Sequence, residues 1–151
     1  MIRDAIKQAL VEAMKAKDTQ TVSTLRMAQA AIKNRDIEMR TSEGPANDDV
    51  LVIDVLTKMV KQRRESIDMY EKGGRTELAD VERAEVAVLE RFLPQTMSED
   101  EARTVISALV AELGATSAKD MGKVMGALKE RYAGQIDMGK AGPLVKAALA
   151  G

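Results

Sequence analysis

Apolar side chains recur every three or four positions along most of this chain, a spacing that predicts amphipathic helices rather than strands. The first series predicts a helix that closes between Lys15 and Asp18, and the second predicts a helix from about Thr19 to Arg40. The segment that follows is typical of a loop, with Gly44-Pro45 as its clearest break. The apolar stripe of the first helix is Ile2, Ile6, Leu10 and Met14.

Two more helices are predicted between this loop and Pro94. Asn47, Asp48 and Asp49 offer caps and favourable charge at the start of the third helix, and Gly73-Gly74 stops it. The buried series expected for the third helix is Val52, Leu56, Val60, Arg63, Ile67 and Tyr70, and that for the fourth is Leu78, Val81, Glu85, Val88, Leu89 and Phe92.

A hinge at Leu93–Met97 is followed by the strongest helix start in the sequence. Ser98 and Glu101 match a capping box, in which the serine caps the helix and the glutamate reaches back. That helix stops at Gly114, and two shorter helical patterns follow it. We therefore predict an all-α protein, with an N-terminal four-helix unit over residues 1–95 and a smaller C-terminal three-helix unit over residues 96–151.

The last helical pattern, within Asp137 to Leu149, contains Gly142-Pro143. A proline deep in a helix loses a backbone hydrogen bond and clashes with the preceding turn. Either the last helix begins near Pro143 or it is kinked there, and the sequence leaves both alternatives open.

Two charged residues interrupt the apolar series of the third and fourth helices, Arg63 and Glu85. Each long side chain could reach solvent from the edge of its stripe. Alternatively, Arg63 could pair with Glu85, or with nearby Glu82, across the two helices, because a buried charge needs a partner. Both alternatives describe a structural feature rather than a catalytic one.

The composition removes most catalytic chemistry. The chain has no Cys and no His, so thiol nucleophiles, zinc clusters and the commonest general base are absent. Glu82 and Glu85 stand one turn apart but lack His partners, which makes a di-metal site improbable. We expect no catalytic residue, no metal and no cofactor. Without an apolar span or signal core, we expect no membrane association and a cytoplasmic location.

Charge and glycine patterns single out the end of the chain. Overall charge is balanced, with 23 basic and 24 acidic residues, but six basic and only three acidic residues follow Leu113. This excess could be an ordinary solvated surface or a binding surface. Gly122 and Gly126 lie four residues apart and so share one helix face. That face could allow close packing of a neighbouring helix, or it could leave backbone open to a partner.

Several segments together resemble the YqeY family, small helical proteins whose C-terminal unit is similar to the tail of GatB, the B subunit of the tRNA-dependent amidotransferase. The match covers nearly the whole chain. The segments are Leu25-Arg26, Ala30–Lys33, Val60–Ser66, Gly74-Arg75, Glu82, Glu85, Leu93–Gln95, Met121–Met125, Asp137–Lys140 and Leu144–Lys146.

The resemblance implies an accessory tRNA-associated module, because the corresponding tail of the amidotransferase contacts tRNA. The family-level label is carbon–nitrogen ligase activity with glutamine as amido donor, yet nothing like the catalytic parts of that enzyme is present here. The implied partners are tRNA or a protein of the tRNA amidotransferase or translation system. The alternative is a helical protein–protein interaction module with no RNA role. The residues expected to contact RNA are Lys123, Lys129, Arg131, Lys140 and Lys146.

Overall fold

The computed structural model describes residues 1–41 and 47–150; the predicted break at Gly44-Pro45 lies outside these residues. All secondary structure in the described part of the chain is helical, and it contains no strand. The prediction of an all-α protein is thereby confirmed. The α-helices are α1 Ile2–Lys15, α2 Thr19–Glu38, α3 Asp48–Lys72, α4 Thr76–Glu90, α5 Glu99–Leu113, α6 Met121–Tyr132 and α7 Met138–Ala150, with a short 3₁₀ helix at Ala118–Asp120 before α6.

The chain divides into two compact units, Met1–Leu93 and Pro94–Gly151. In the first unit, α3 is the central helix. Its first half, from Val50 to Val60, is buried on nearly every side, whereas most of its second half is exposed. The hydrophobic core of this unit gathers around that first half, and its fully buried side chains include Ile6, Leu25, Val52, Leu56 and Leu89.

The helix starts follow the capping residues of the sequence. Asn47 caps α3 by accepting a hydrogen bond from the Asp49 N–H, and Ser98 caps α5 by accepting one from the Glu101 N–H. Asp18 caps α2 in the same way, through the backbone and hydroxyl of Thr21. These hydrogen bonds lower the pKa of the Asp18 carboxyl. Side-chain caps satisfy backbone donors that have no partner inside the helix.

Two of the predicted stripes are partly wrong. In α1, Met14 is 51% exposed, and Ala13 is buried in its place. A series with a spacing of four drifts around a helix that has 3.6 residues per turn, so its last member leaves the buried face. In α4, Leu78 and Val81 are 37% and 54% exposed, because the buried face of this helix is set by Ala79, Val86 and Leu89.

The second unit has its own core around α5, α6 and α7, which includes Ile106, Val124, Leu128 and Val145. The last helix begins at Met138, well before Pro143, so of the two sequence alternatives a start near Pro143 is excluded. Asp137 Oδ1 accepts a hydrogen bond from the Gly139 N–H at 2.9 Å and so supports the first turn. The proline removes one intrahelical bond in the second turn, and buried side chains on both sides of it hold the helix in place.

Candidate functional site

The solvent face of α6 carries the two glycines. Gly122 and Gly126 are exposed, and a Cβ atom built at either would meet no neighbouring atom within 4 Å. The buried side chains of this helix, Val124 and Leu128, lie on its opposite side. No helix in the described part of the chain packs on the glycines, so the structure does not show the close helix packing that the sequence allowed. It leaves the backbone of α6 open there.

Two of the candidate cations lie beside this glycine face. Lys123 and Lys129 are six residues apart, about 120° around the helix, so they flank the glycines of α6 from two sides. Both lysines are exposed. The Lys123 ammonium donates a hydrogen bond to the Leu113 carbonyl at 3.2 Å, a favourable position for a cation because it is the C-terminus of α5. Glu130, seven residues after Lys123, lies on the same side of α6 as Lys123.

Arg131 has a different environment. Its Nη1 donates to both carboxylate oxygens of Glu112, at 2.9 and 2.8 Å. This pairing lowers the pKa of the Glu112 carboxyl. Its position in the sequence of α6 puts Arg131 on the side away from the two glycines. The guanidinium therefore joins α5 to α6 rather than extending the glycine face.

The two lysines of α7 do not form a continuous surface with each other. Lys140 and Lys146 are six residues apart, so they point to different sides of the helix. Lys140 lines a cleft of about 450 Å³, and Glu99 and Asp137 line the same cleft. Two carboxylates beside one ammonium make this cleft a poor place for a phosphate.

The net charge of the whole second unit also differs from that of its segment after Leu113. Residues 94–151 hold seven basic and seven acidic residues, because four acids of α5 offset the basic excess after Leu113. Glu112 is one of these acids, and its salt bridge with Arg131 neutralises one of the basic residues that follow Leu113. Any anion-binding surface must therefore be local, and two of the five candidate cations, Lys123 and Lys129, flank the glycines of α6.

Arg63 lies between the two glutamates singled out from the sequence. Its Nε donates to Glu85 Oε2 at 2.7 Å, and Glu82 Oε2 is 3.9 Å away. The side chains are 14%, 18% and 23% exposed for Arg63, Glu85 and Glu82. Arg63 Nη1 also donates to the Met59 carbonyl. Burial and the neighbouring Glu85 raise the pKa of Glu82. This cluster joins α3 to α4.

A second arginine cluster could not be found from local spacing. Arg3 donates two hydrogen bonds to Asp36 and two to Asp48, at 2.7 to 3.1 Å. Asp48 and Asp36 together raise the pKa of Arg3, and Arg3 lowers that of Asp48. The two carboxylates stand 33 and 45 residues away in the sequence, so only the fold brings them together. The cluster ties the start of α1 to the end of α2 and the start of α3.

The turn between α1 and α2 holds a second feature that the sequence analysis missed. Lys17 has a φ of 58°, in the left-handed region that glycine usually occupies at the end of a helix. The Lys17 and Asp18 N–H groups donate to the carbonyls of Met14 and Ala13, which is the Schellman pattern. A non-glycine residue in this conformation costs roughly 1 kcal/mol. No pattern of apolar spacing reveals such a backbone conformation.

Neither metal-ligand groups nor membrane spans stand out in residues 1–41 and 47–150. No set of three or more acidic side chains there is arranged to hold a metal ion. None of the helices in those residues combines the length and the apolar character needed to cross a membrane.

Comparison with known proteins gives a family match and a set of fungal relatives. The family model described as Yqey-like protein matches residues 3–149. The protein named altered inheritance of mitochondria protein 41, mitochondrial, from Eremothecium gossypii is 39% identical over 88 residues, 58% of this chain and 46% of the relative. The protein of the same name from Lachancea thermotolerans is 32% identical over 110 residues, 72% of this chain and 57% of the relative. The chain thus spans about half the length of these curated relatives.

The names of these relatives correct one expectation. They place the relatives in the mitochondrion, so the cytoplasmic location expected from the sequence is wrong. The expectation rested on the lack of an apolar span and of a signal core. Those features do not distinguish one reducing aqueous compartment from another.

Proposed function

This chain belongs to the Yqey-like protein family, and on that premise we propose that it is an accessory tRNA-associated module. In this proposal, the exposed face of α6 lies against an RNA sugar-phosphate backbone. The single observation that carries the proposal is the open glycine face of α6, with Lys123 and Lys129 beside it.

The physical argument combines close approach with charge. A helix surface without Cβ atoms lets a ligand come nearer to the backbone than other helix surfaces do. Lys123 and Lys129 are separated by about 9 Å along the helix axis, so their ammonium groups can reach different phosphates of one strand. Two or three neutralised phosphates give weak, salt-sensitive binding without sequence preference, with a dissociation constant of about 10⁻⁴–10⁻⁶ M.

The choice of tRNA and of the amidotransferase system is supported by the sequence resemblance. The segments Met121–Met125 and Asp137–Lys140 are among those that resemble the YqeY family, whose C-terminal unit resembles the amidotransferase tail. The first of these segments contains Gly122 and Lys123, which lie on the open face. The catalytic label of the family is not part of the proposal, since no catalytic residue of this chain supports it.

The test is tRNA binding by the full chain, measured by fluorescence anisotropy at low salt. Lys123→Glu combined with Lys129→Glu should weaken binding at least tenfold and reduce the salt dependence by about two released ions. Lys7→Glu combined with Lys33→Glu is the matched control. It changes the net charge equally, at exposed positions of the N-terminal unit, and should have little effect.

Close approach is tested separately from charge. Gly126→Leu places a side chain in open space, so the fold should be retained and the helix stabilised by about 1 kcal/mol. Binding of tRNA should nevertheless fall severalfold. Ala108→Leu, at an exposed position of α5, is the control for adding an apolar side chain and should leave binding unchanged.

Absence of tRNA binding by the full chain at low salt would reject the RNA role, and the alternative of a protein–protein interaction module would take its place. Equal losses from the Lys123/Lys129 and Lys7/Lys33 pairs would show only general charge attraction, which would also reject the proposed face.

We propose further that the two compact units are separate domains of four and three helices. Each unit has its own buried core, which supports independent folding. Fragments 1–93 and 94–151 should each show helical circular dichroism and cooperative unfolding. If the second fragment folds, it should bind tRNA at least as well as the full chain. A fragment that stays unfolded would contradict the division.

A further inference from the structure

The N-terminal unit carries an open groove between the end of α1 and the first half of α2. It encloses about 880 Å³. Its apolar lining comes from Met14, Val22, Met27 and Ala30, and its charged lining comes from Lys17 and Arg26. None of the side chains that line the groove is acidic.

Two methionines of the apolar lining are exposed to solvent. Met14 and Met27 are 51% and 38% exposed, and Val11, one turn before Met14 on α1, is 45% exposed. Exposed apolar surface with polar neighbours is typical of a binding site. Methionine side chains adapt their shape to different partners, as they do on surfaces that receive amphipathic helices.

The two charged side chains that line the groove, Lys17 and Arg26, are both basic. Lys17 stands at one end of the groove. Its backbone is in a left-handed conformation that glycine would adopt without strain, so a lysine at this position lowers the stability relative to a glycine. The nearest acid in the sequence, Asp18, is directed to Thr21, with 2.7 Å between Asp18 Oδ2 and Thr21 Oγ1. Outside the groove lining, Arg63 Nη2 donates a hydrogen bond to Met27 Sδ at 3.7 Å.

We propose that this groove is a docking site for an acidic amphipathic helix of a partner protein. The apolar side chains of such a helix, spaced three and four residues apart, would contact Met14 and Met27. Its flanking carboxylates would meet Lys17 and Arg26. The apolar floor favours a helix over a nucleic acid, because no aromatic side chain lines the groove to stack on bases. This surface lies outside α6, so the inference does not depend on the tRNA proposal.

The probe is a pair of fluorescein-labelled 15-residue synthetic helices that share one leucine stripe. One peptide carries glutamate beside the stripe and the other carries lysine. Binding to the full chain is measured by anisotropy. The glutamate peptide should bind at least tenfold more tightly, and moderate salt should reduce this difference because the charges are exposed.

Two sets of variants locate the binding. Lys17→Asn keeps a residue that tolerates the left-handed conformation, and together with Arg26→Gln it should weaken binding of the glutamate peptide about tenfold. Met14→Gln should weaken binding severalfold. Met69→Gln changes a methionine that is 73% exposed on α3, away from the groove lining, and should have no effect.

Several results would overturn the inference. Equal binding of the two peptides, or equal effects of Met14→Gln and Met69→Gln, would remove the acidic helix as the occupant. Self-association of the chain that Lys17→Asn with Arg26→Gln abolishes, without peptide binding, would assign the groove to a second copy. Loss of tRNA binding in that double variant, with peptide binding unchanged, would assign the groove to nucleic acid.

Discussion

Removing the Arg63 guanidinium leaves Glu85 and Glu82 facing each other in a partly buried site. All three side chains are less than a quarter exposed, so solvent can rehydrate the remaining carboxylates only in part. Breaking a buried pair by deleting one partner costs about 3–5 kcal/mol. Because these groups retain some exposure, we expect Arg63→Ala to lower the free energy of unfolding by about 3 kcal/mol, near the bottom of that range.

The adjacent arginine provides a matched control. Arg64 also pairs across to α4, with Glu90, but these side chains are 63% and 45% exposed. Surface pairs of this kind contribute about 1 kcal/mol or less, so Arg64→Ala should cost no more than that. Both variants lose an arginine at neighbouring positions of one helix, and the difference between them isolates the effect of burial.

The assay is urea denaturation followed by circular dichroism at neutral pH, since the chain has no tryptophan to follow by fluorescence. Adding Glu85→Gln to Arg63→Ala should recover part of the loss, because one of the stranded carboxylates is removed; a double-mutant cycle gives the coupling. A loss for Arg63→Ala no greater than that for Arg64→Ala would show instead that Arg63 behaves as a surface charge.

Three further changes test other parts of the N-terminal unit. Because the pKa of Glu82 is raised, the folded state binds its proton more tightly and loses stability as pH rises above the ordinary pKa of glutamate. Glu82→Gln should therefore gain stability relative to the natural chain between pH 4 and pH 7. A difference in urea titrations that stays constant over this range would contradict the prediction. Lys17→Gly should raise stability by roughly 0.5–1 kcal/mol in thermal unfolding, because it relieves the left-handed backbone, whereas an equal gain from Lys17→Ala would show another cause. Arg3→Ala should lower the free energy of unfolding by about 1 kcal/mol. Because the pKa of Asp48 is lowered, the Arg3–Asp48 pair contributes fully above the ordinary pKa of aspartate, and its contribution is lost as pH falls through the lowered pKa. A loss for Arg3→Ala that stays unchanged down to pH 2 would contradict this role of the pair.

Helix starts and ends were predictable because they depend on neighbouring residues. The capping box at Ser98 and the cap at Asn47 each act within three residues, and the structure places a helix start at both. The sides that the helices bury were less predictable. Met14 fits the stripe of α1 but is exposed, because the buried side of a helix depends on what packs against it.

The candidate site was likewise predictable only where it depends on residues close together in the sequence. The four-residue spacing of Gly122 and Gly126 predicts a shared face, but only the fold shows that nothing packs on it. The Arg3 cluster combines residues from three helices, and a single sequence gives no pattern that would join them. The groove is lined by residues of both α1 and α2, and the left-handed backbone of Lys17 in its lining is not one that the residue type predicts.

The two halves of α3 have a consequence for how this protein can diverge in sequence. From Val50 to Val60 eight side chains are buried, and at those positions only apolar replacements of similar volume preserve the core. From Lys61 onward most positions face water, and those exposed positions, which exclude Arg63, can accept nearly any residue that keeps the helix. One continuous helix thus contains a mutationally rigid segment followed by a permissive one, and new surface properties can arise in the second without disturbing the first.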